Sequence, residues 1–198
     1  MPINSSVRDL VASCDLEERI ALVPASAMLR GLYFKNTLNI LRRAGRERPF
    51  VDLYPEKYSA VHLYPVTQFL ERLAVAGALL AGPQNVHQGM QEIGLGNARA
   101  FSGSLLGKSL LKFLAPNPVK LLKQADAGRR LSCTYGRWHT DFIETNRAVV
   151  HLYEEYLWIE SNILGAAIGT FDSIGKSVQV DVELISRFEG RLFISWDS

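Results

Sequence analysis

The sequence is poor in cysteine and in net charge, and each shortage excludes a class of protein. Its two cysteines, Cys14 and Cys133, lie far apart in a chain of 198 residues. A disulfide-rich secreted scaffold is therefore excluded, and we expect two free, reduced thiols. The 22 basic and 20 acidic residues leave a net charge of +2. That charge is too small for a dedicated nucleic-acid-binding protein, so we expect no specific nucleic-acid partner.

The sequence also lacks the hydrophobic segments that direct a protein into or across a membrane. Its longest apolar run, residues 74–82, is far shorter than the roughly 20 residues of a membrane-spanning helix. Residues 1–9 have neither the basic start nor the apolar run of a signal peptide. We therefore predict a cytoplasmic protein without a membrane span.

Motifs for catalysis and metal binding are missing as well. Gly94 and Gly96 lack the third glycine of a dinucleotide-binding loop and lie within a helical pattern. No nucleophile-elbow motif surrounds Ser102 or Ser104. The four histidines are His62, His87, His139 and His151, and no two of them have the spacing of a metal-binding motif. We expect a protein that is not an enzyme and that holds no metal.

The chain does have an ordinary globular composition, with 47% hydrophobic and 21% charged residues, which suffices for a single hydrophobic core. Residues 1–27 are predicted to form an N-terminal helical extension. In it, Asp15 and Glu18 have the spacing of a capping box, and Pro24 ends the helix. Residues 28–198 are predicted to form one α+β domain.

Apolar residues at helical spacing dominate the first half of this domain. One helix is predicted to run from Phe34 to near Gly45, and another to begin at Tyr64-Pro65 and end at Gly82-Pro83. A third is predicted to begin at Asn85 and to be kinked or broken near Gly103. Further helical segments are predicted over residues 106–114 and 119–125.

After Gly128 the pattern changes to that of strands. Two long strands, residues 131–144 and 147–156, are predicted to precede a helix over residues 157–171 and two more strands. Gly165 and Gly169 are expected to bring that helix close to the sheet. The fold class is therefore α+β, with a helical N-terminal half packed on an antiparallel sheet of at least four strands. The C-terminal half has the order strand-strand-helix-strand-strand.

Two groups of polar residues leave alternatives open. His139 and His151 lie on neighbouring predicted strands, where they form either a solvent-facing cross-strand pair or part of a site. A set of basic residues forms either a solvated helix face or a ridge for phosphate or an acidic partner. This set comprises Lys108, Lys112, Lys120, Lys123, Arg129 and Arg130.

Four segments carry a family resemblance: Gly31-Leu-Tyr-Phe, Tyr64-Pro65, residues 106–114 and Ile163-Leu-Gly-Ala-Ala-Ile. Their order resembles that of a large myxobacterial paralogous family of single-domain proteins of unknown function. That family is similar in turn to heme-NO-binding, 4-vinyl-reductase and TRAPP Bet3-like domains. The resemblance covers residues 28 to 196 and implies a heme-NO-binding/Bet3-like fold.

The resemblance does not extend to the heme ligands. Heme-NO-binding domains carry an axial histidine shortly after the segment similar to Phe113-Leu114, whereas this sequence has no histidine between His87 and His139. Their Tyr-x-Ser-x-Arg motif for the heme propionates is also absent at Tyr135. Without an axial ligand or a propionate clamp, we expect no heme and no other cofactor.

Relatives of this fold bind apolar ligands or protein partners in the cleft between helices and sheet. We therefore predict a non-enzymatic sensor or adaptor domain in signalling that binds a small apolar ligand or a protein partner. The pocket is expected between the helical half and the hairpin, at Phe69, Leu73, Met90, Phe101, Tyr135 and Trp138. The alternative is a homodimeric structural or interaction module without a ligand.

Overall fold

The structure is a computed structural model that describes residues 5–103 and 117–197. Its helices are α1 Ser5–Leu10, α2 Leu16–Leu22, α3 Gly31–Arg43, α4 Glu47–Leu53, α5 Val66–Ala81, α6 Val86–Gly103, α7 Pro118–Lys123, α8 Ala125–Ser132 and α9 Leu164–Asp172. Its strands are β1 Met28–Arg30, β2 Leu63–Pro65, β3 Arg137–Glu144, β4 Arg147–Tyr153, β5 Val178–Ser186 and β6 Glu189–Trp196. A 3-10 turn, Pro83–Asn85, precedes α6, and a π-helical turn, Ile159–Ile163, precedes α9.

The C-terminal half forms a four-stranded antiparallel sheet in the order β3-β4-β6-β5. Along β4, Ala148, Val150 and Leu152 are buried against the helices, while the alternating His151 and Tyr153 lie on the other face. The short strands β1 and β2 pair separately. The predicted α+β fold and its strand-strand-helix-strand-strand order are confirmed.

Helix α5 forms the centre of the core because nearly all of its faces are covered. Its side chains from Phe69 to Ala76 include fully buried Leu70 and Leu73. Helix α6 approaches it closely, since a Cβ placed on Gly89 would lie 2.1 Å from the carbonyl oxygen of Gly77. As predicted, α5 ends at Gly82, whose φ of +90° is one that glycine adopts readily. Among the described helices, none combines the length and apolar character needed to cross a bilayer.

The glycines of α9 face α6 and not, as had been predicted, the sheet, while the helix contacts the sheet elsewhere, where the rings of Phe171 and Trp196 lie 5.9 Å apart. A Cβ on Gly165 would lie 2.0 Å from the carbonyl oxygen of Gln91, and one on Gly169 would lie 2.6 Å from that of Leu95. On the α6 side, a Cβ on Gly94 would lie 2.0 Å from the carbonyl oxygen of Asn162. The small residues therefore allow two helix backbones to touch, and they fix the position of α6.

Several predicted boundaries differ from the structure. Helix α3 begins at Gly31 and not at Phe34, and the helix predicted from residue 157 begins as a π-helical turn at Ile159. The first strand of the hairpin begins at Arg137 and not at residue 131, because α8 continues through Gly128 to Ser132. The second strand ends at Tyr153, since Glu154 turns the chain with a φ of 53°. Tyr64-Pro65 ends β2, and the helix begins one residue later. The predicted helix over residues 106–114 lies outside the described residues.

The described part of the predicted N-terminal extension contributes to the same core. Val7, Val11 and Leu16 are buried there. The expected capping box is not formed, because the Asp15 carboxylate makes no cap hydrogen bond. It accepts instead a 2.7 Å hydrogen bond from Trp158 Nε1. The division of the chain at residue 27 stays a prediction.

Asp15 is expected to give the attachment of α2 a dependence on acid pH. Burial alone would raise the pKa of its carboxyl group, but Arg19, the Trp158 hydrogen bond and Arg187 outweigh it and lower this pKa. The carboxylate therefore stabilises the fold above its unfolded pKa, and this stabilisation is lost as the pH falls through the lowered value. We expect Asp15→Asn to reduce the free energy of unfolding by roughly 1 kcal/mol at neutral pH.

The measurement is urea unfolding of both proteins at a series of pH values. The difference in stability should shrink as the pH falls from the unfolded pKa of about 3.9 through the lowered pKa of the folded carboxyl group, because the wild-type carboxylate then becomes protonated. Asp9→Asn, on an exposed position of α1, serves as control and should match the wild type. A difference for Asp15→Asn that stays constant down to the acid limit would refute this role of its charge.

Candidate ligand-binding cavity

A cavity of about 210 Å³ lies between the helices and the inner face of the main sheet. Its walls come from α6, the helices α7 and α8, the π-helical turn with α9, and strands β4 and β6. Most of the lining is apolar: Leu29, Ala98, Phe101, Leu121, Leu122, Ala125, Trp138, Val150, Leu157, Ile163, Ala166, Ala167, Phe171, Leu192 and Ile194. Small side chains on α6 and α9 leave the space open, and such a lining suits an apolar molecule.

One wall of the cavity is built on a buried ion pair between Arg129 of α8 and Glu155, which follows β4. Glu155 is fully buried, and its two carboxylate oxygens each accept a 2.9 Å hydrogen bond from the Arg129 guanidinium. Burial alone would lower the pKa of Arg129, but the Glu155 charge raises it well above its usual value. Trp138 Nε1 and the backbone N–H of Leu157 donate to the same carboxylate at 3.2 and 3.1 Å. Both charges are thereby fixed, and the Trp138 side chain is held at the cavity wall.

The neighbouring phenol and thiol are neutral groups. Tyr33 lines the cavity and donates a 2.8 Å hydrogen bond to Ser132 Oγ. Burial raises the pKa of Tyr33 and also that of Cys133, which contacts Arg129. Cys14, the other free cysteine, has a pKa raised by burial to about 11. Both cysteines are free, as expected, and the described lining supplies no nucleophile with a lowered pKa.

Two asparagines bring amide groups to the cavity. Asn162, in the π-helical turn, donates from Nδ2 to the carbonyl oxygen of Met90 at 3.1 Å. Asn97, on α6, is 3% exposed, and its Oδ1 lacks a hydrogen-bond partner among the described residues. The hydroxyls of Ser102 and Thr170 donate to backbone carbonyls one turn earlier, and Gln124 lies at an exposed position of the lining. Asn97 is the buried polar side chain of the described lining that has an atom without a hydrogen-bond partner.

Of the six residues predicted to form a pocket, the structure places Phe101 and Trp138 at the cavity. Phe69, Leu73 and Met90 are fully buried elsewhere in the core, and the Phe69 ring packs 5.0 Å from that of Phe34. Tyr135 lies behind the ion pair, with Arg129 over its ring at 4.4 Å.

Sequence reasoning missed the polar residues of this site. Arg129 was grouped with an exposed basic ridge, but it is buried. Only its neighbours Lys120, Lys123 and Arg130 are exposed, while Lys108 and Lys112 lie outside the described residues. Asn97 carried a readable signal, because it interrupts the apolar stripe of α6 formed by Val86, Met90, Ile93 and Phe101.

The predicted pairing of His139 with His151 across the hairpin is confirmed by the strand register. Both Nε2 atoms face the Asp141 carboxylate, at 2.9 and 3.1 Å. The cluster lies on the sheet face opposite the cavity. Within residues 5–103 and 117–197, no group of three or more His, Cys, Asp and Glu side chains is arranged to hold a metal ion.

The fold of this chain is similar to that of H-NOX proteins. The H-NOX protein of K. algicida has a TM-score of 0.70 at 12% identity, over 86% of this chain and 97% of that one. The S. oneidensis protein in its Fe(II)NO state also has a TM-score of 0.70, at 8% identity, over 86% and 100% of the two chains. A mutant T. tengcongensis H-NOX has 0.66 at 12% identity, over 86% and 98%. The TM-scores show a shared fold, and identities this low show nothing beyond the fold.

The sequence itself identifies the family. The profile described as "Protein of unknown function (DUF2378)" matches residues 22–155, and the chain belongs to that family. A search of the curated proteins finds no match. The expected membership in a family of unknown function is confirmed, and the single-domain, myxobacterial and paralogous character of that family stays a prediction.

Proposed function

We propose that this protein is a non-catalytic cytoplasmic sensor or adaptor domain that binds a small apolar ligand in the cavity between α6, α8, α9 and the sheet. The observation that carries the proposal is the apolar cavity of about 210 Å³ within an H-NOX-like fold. Burying an apolar molecule there removes its surface from water without breaking any protein hydrogen bond described above. The fixed ion pair beside Trp138 gives the cavity a rigid wall against which a bound ligand would pack.

The ligand differs from the heme with which H-NOX proteins are associated. Among the described lining residues there is no histidine, cysteine or methionine to bind iron. Tyr33 is a neutral phenol engaged with Ser132, and Arg129, the cation that a propionate would need, is bonded to Glu155. The cavity is also smaller than the roughly 300–1,000 Å³ typical of sites for drug-sized molecules. The described residues therefore do not fit heme.

Native mass spectrometry of freshly purified protein tests the proposal. We expect a non-covalent excess mass that is absent after denaturation and that differs from the mass of heme. Ala166→Phe, which places a ring in the cavity, should abolish the excess mass. Ala127→Phe introduces the same ring on an exposed position of α8 and should retain it.

Two results would count against the proposal. A wild-type native mass equal to the denatured mass, together with no change in melting temperature on adding small apolar compounds, would leave the cavity without a ligand. An excess equal to heme, with a heme absorption band, would overturn the choice of ligand.

The alternative, a homodimeric interaction module without a ligand, is favoured by the exposed apolar side chains of the edge strand β5. Leu184 and Ile185 there are 49% and 53% exposed, and edge strands readily pair with a second chain. Sedimentation at several concentrations distinguishes the two proposals. A monomer at every concentration would exclude the homodimer.

A further inference from the structure

One side chain of the cavity wall has a buried polar atom without a hydrogen-bond partner among the described residues. Asn97 lines the cavity, and its Oδ1 has no hydrogen-bond partner in the described part of the chain. Buried polar atoms of folded proteins are nearly always hydrogen-bonded, so an exception requires an explanation. Water would hydrogen-bond the amide of an exposed asparagine, but the Asn97 side chain is only 3% exposed.

Movement of α6 does not relieve this deficit, because the helix is held from two sides. Gly89 touches the backbone of α5 at Gly77, and Gly94 touches the backbone at Asn162. The side-chain amide itself is less restricted, because the terminal torsion of asparagine is broad. Asn97 can therefore turn its carbonyl oxygen towards a donor in the cavity while its backbone stays in place.

The size of the cavity limits the size of the ligand that carries this donor. An engineered apolar cavity of roughly 150 Å³ in another protein accepts benzene, and the present cavity is larger, at about 210 Å³. The space suits one fused bicyclic ring system. Most of the described lining is apolar, and Asn97 is the buried side chain there with an unsatisfied polar atom, so a second polar group on the ligand would face mainly apolar side chains.

We propose that the ligand is a compact aromatic or alicyclic molecule of about indole size, with a single N–H or O–H group that donates to Asn97 Oδ1. This inference rests on the proposed ligand-binding function and adds the chemical class of the ligand. The hydrogen bond would orient the molecule with its polar edge against α6 and its apolar edge against the sheet and α9.

Indole and indene test the inference, because they have nearly the same shape and only indole has an N–H donor. Binding of each is measured by calorimetry and by the shift in melting temperature. We expect wild-type protein to bind indole about five- to tenfold more tightly than indene. Asn97→Leu should fold at least as stably, since it removes the unpaired amide, and should lose that preference. Thr170→Val, which alters a cavity hydroxyl already bonded to Ala166, should keep it.

The outcomes separate this inference from the proposed function. Equal affinities of wild-type protein for the two probes, or a preference for indole that survives in Asn97→Leu, would overturn the role of Asn97 while cavity binding stands. Binding of neither probe would overturn the assigned ligand size, and the native mass of wild-type and Ala166→Phe protein would still decide the proposed function.

Discussion

Replacing Glu155 by glutamine is expected to lower the free energy of unfolding by about 3–5 kcal/mol. The carboxylate is fully buried and accepts four hydrogen bonds, two of them from Arg129, which is itself 8% exposed. Without the negative charge, the guanidinium stays buried and its charge loses its counter-ion. The effect is large because the desolvation of Arg129 is then no longer offset.

Urea unfolding measures this loss, and a double variant separates charge from shape. In Arg129→Met/Glu155→Leu both charges are replaced by apolar side chains of similar size, so much of the lost stability should return. If Glu155→Gln unfolds at the wild-type urea midpoint with an unchanged slope, the pair does not hold this wall. The loss of ligand in a Glu155→Gln protein that remains folded would further connect the ion pair to the cavity.

The fold was predictable because periodicity records which faces are buried. Strict alternation from Val178 to Leu184 gave strand β5, and the spacing from Val66 to Leu80 gave α5. Each pattern shows which face of its own segment is buried, so the helix or strand can be predicted without knowing what packs against it. The prediction for α8 was wrong because Gly128 was taken as the end of the helical half. Gly128 lies within a helix that is hydrogen-bonded to its neighbours, through Asp126 to the backbone of Trp138 and through Ser132 to Tyr33.

The candidate site was only partly predictable, because an apolar pattern shows that a side chain is buried but not whether it faces the core or a cavity. Phe69, Leu73 and Met90 have the apolar character of pocket residues, yet all three are fully buried in the core away from the cavity. Phe101 continues the apolar stripe of α6 that includes Met90, but it reaches the cavity. The Arg129–Glu155 pair joins residues that are 26 positions apart, and nothing in either local sequence links them.

Gly165→Ala is expected to destabilise the protein by about 3 kcal/mol, at the upper end for overpacking. The added Cβ would lie 2.0 Å from the carbonyl oxygen of Gln91, and this obstacle is backbone, which cannot rotate away as a side chain would. Helices α6 and α9 would have to separate, and Asn97 and Ala166 on their facing sides would move with them. Chemical unfolding should therefore show a lower midpoint, and the Asn97-dependent preference for indole should weaken.

Gly128→Ala is the matched control for this prediction. Gly128 also lies in a helix beside the cavity, but a Cβ there would meet no heavy atom within 4 Å. The same methyl group should then stabilise the protein by about 0.4–1 kcal/mol, because alanine restricts the unfolded chain and favours helix. Opposite signs for the two glycines would show that the contact between α6 and α9, and not a general need for glycine, fixes the cavity. Similar losses at both positions would contradict the close packing of these helices, on which the position of Asn97 depends.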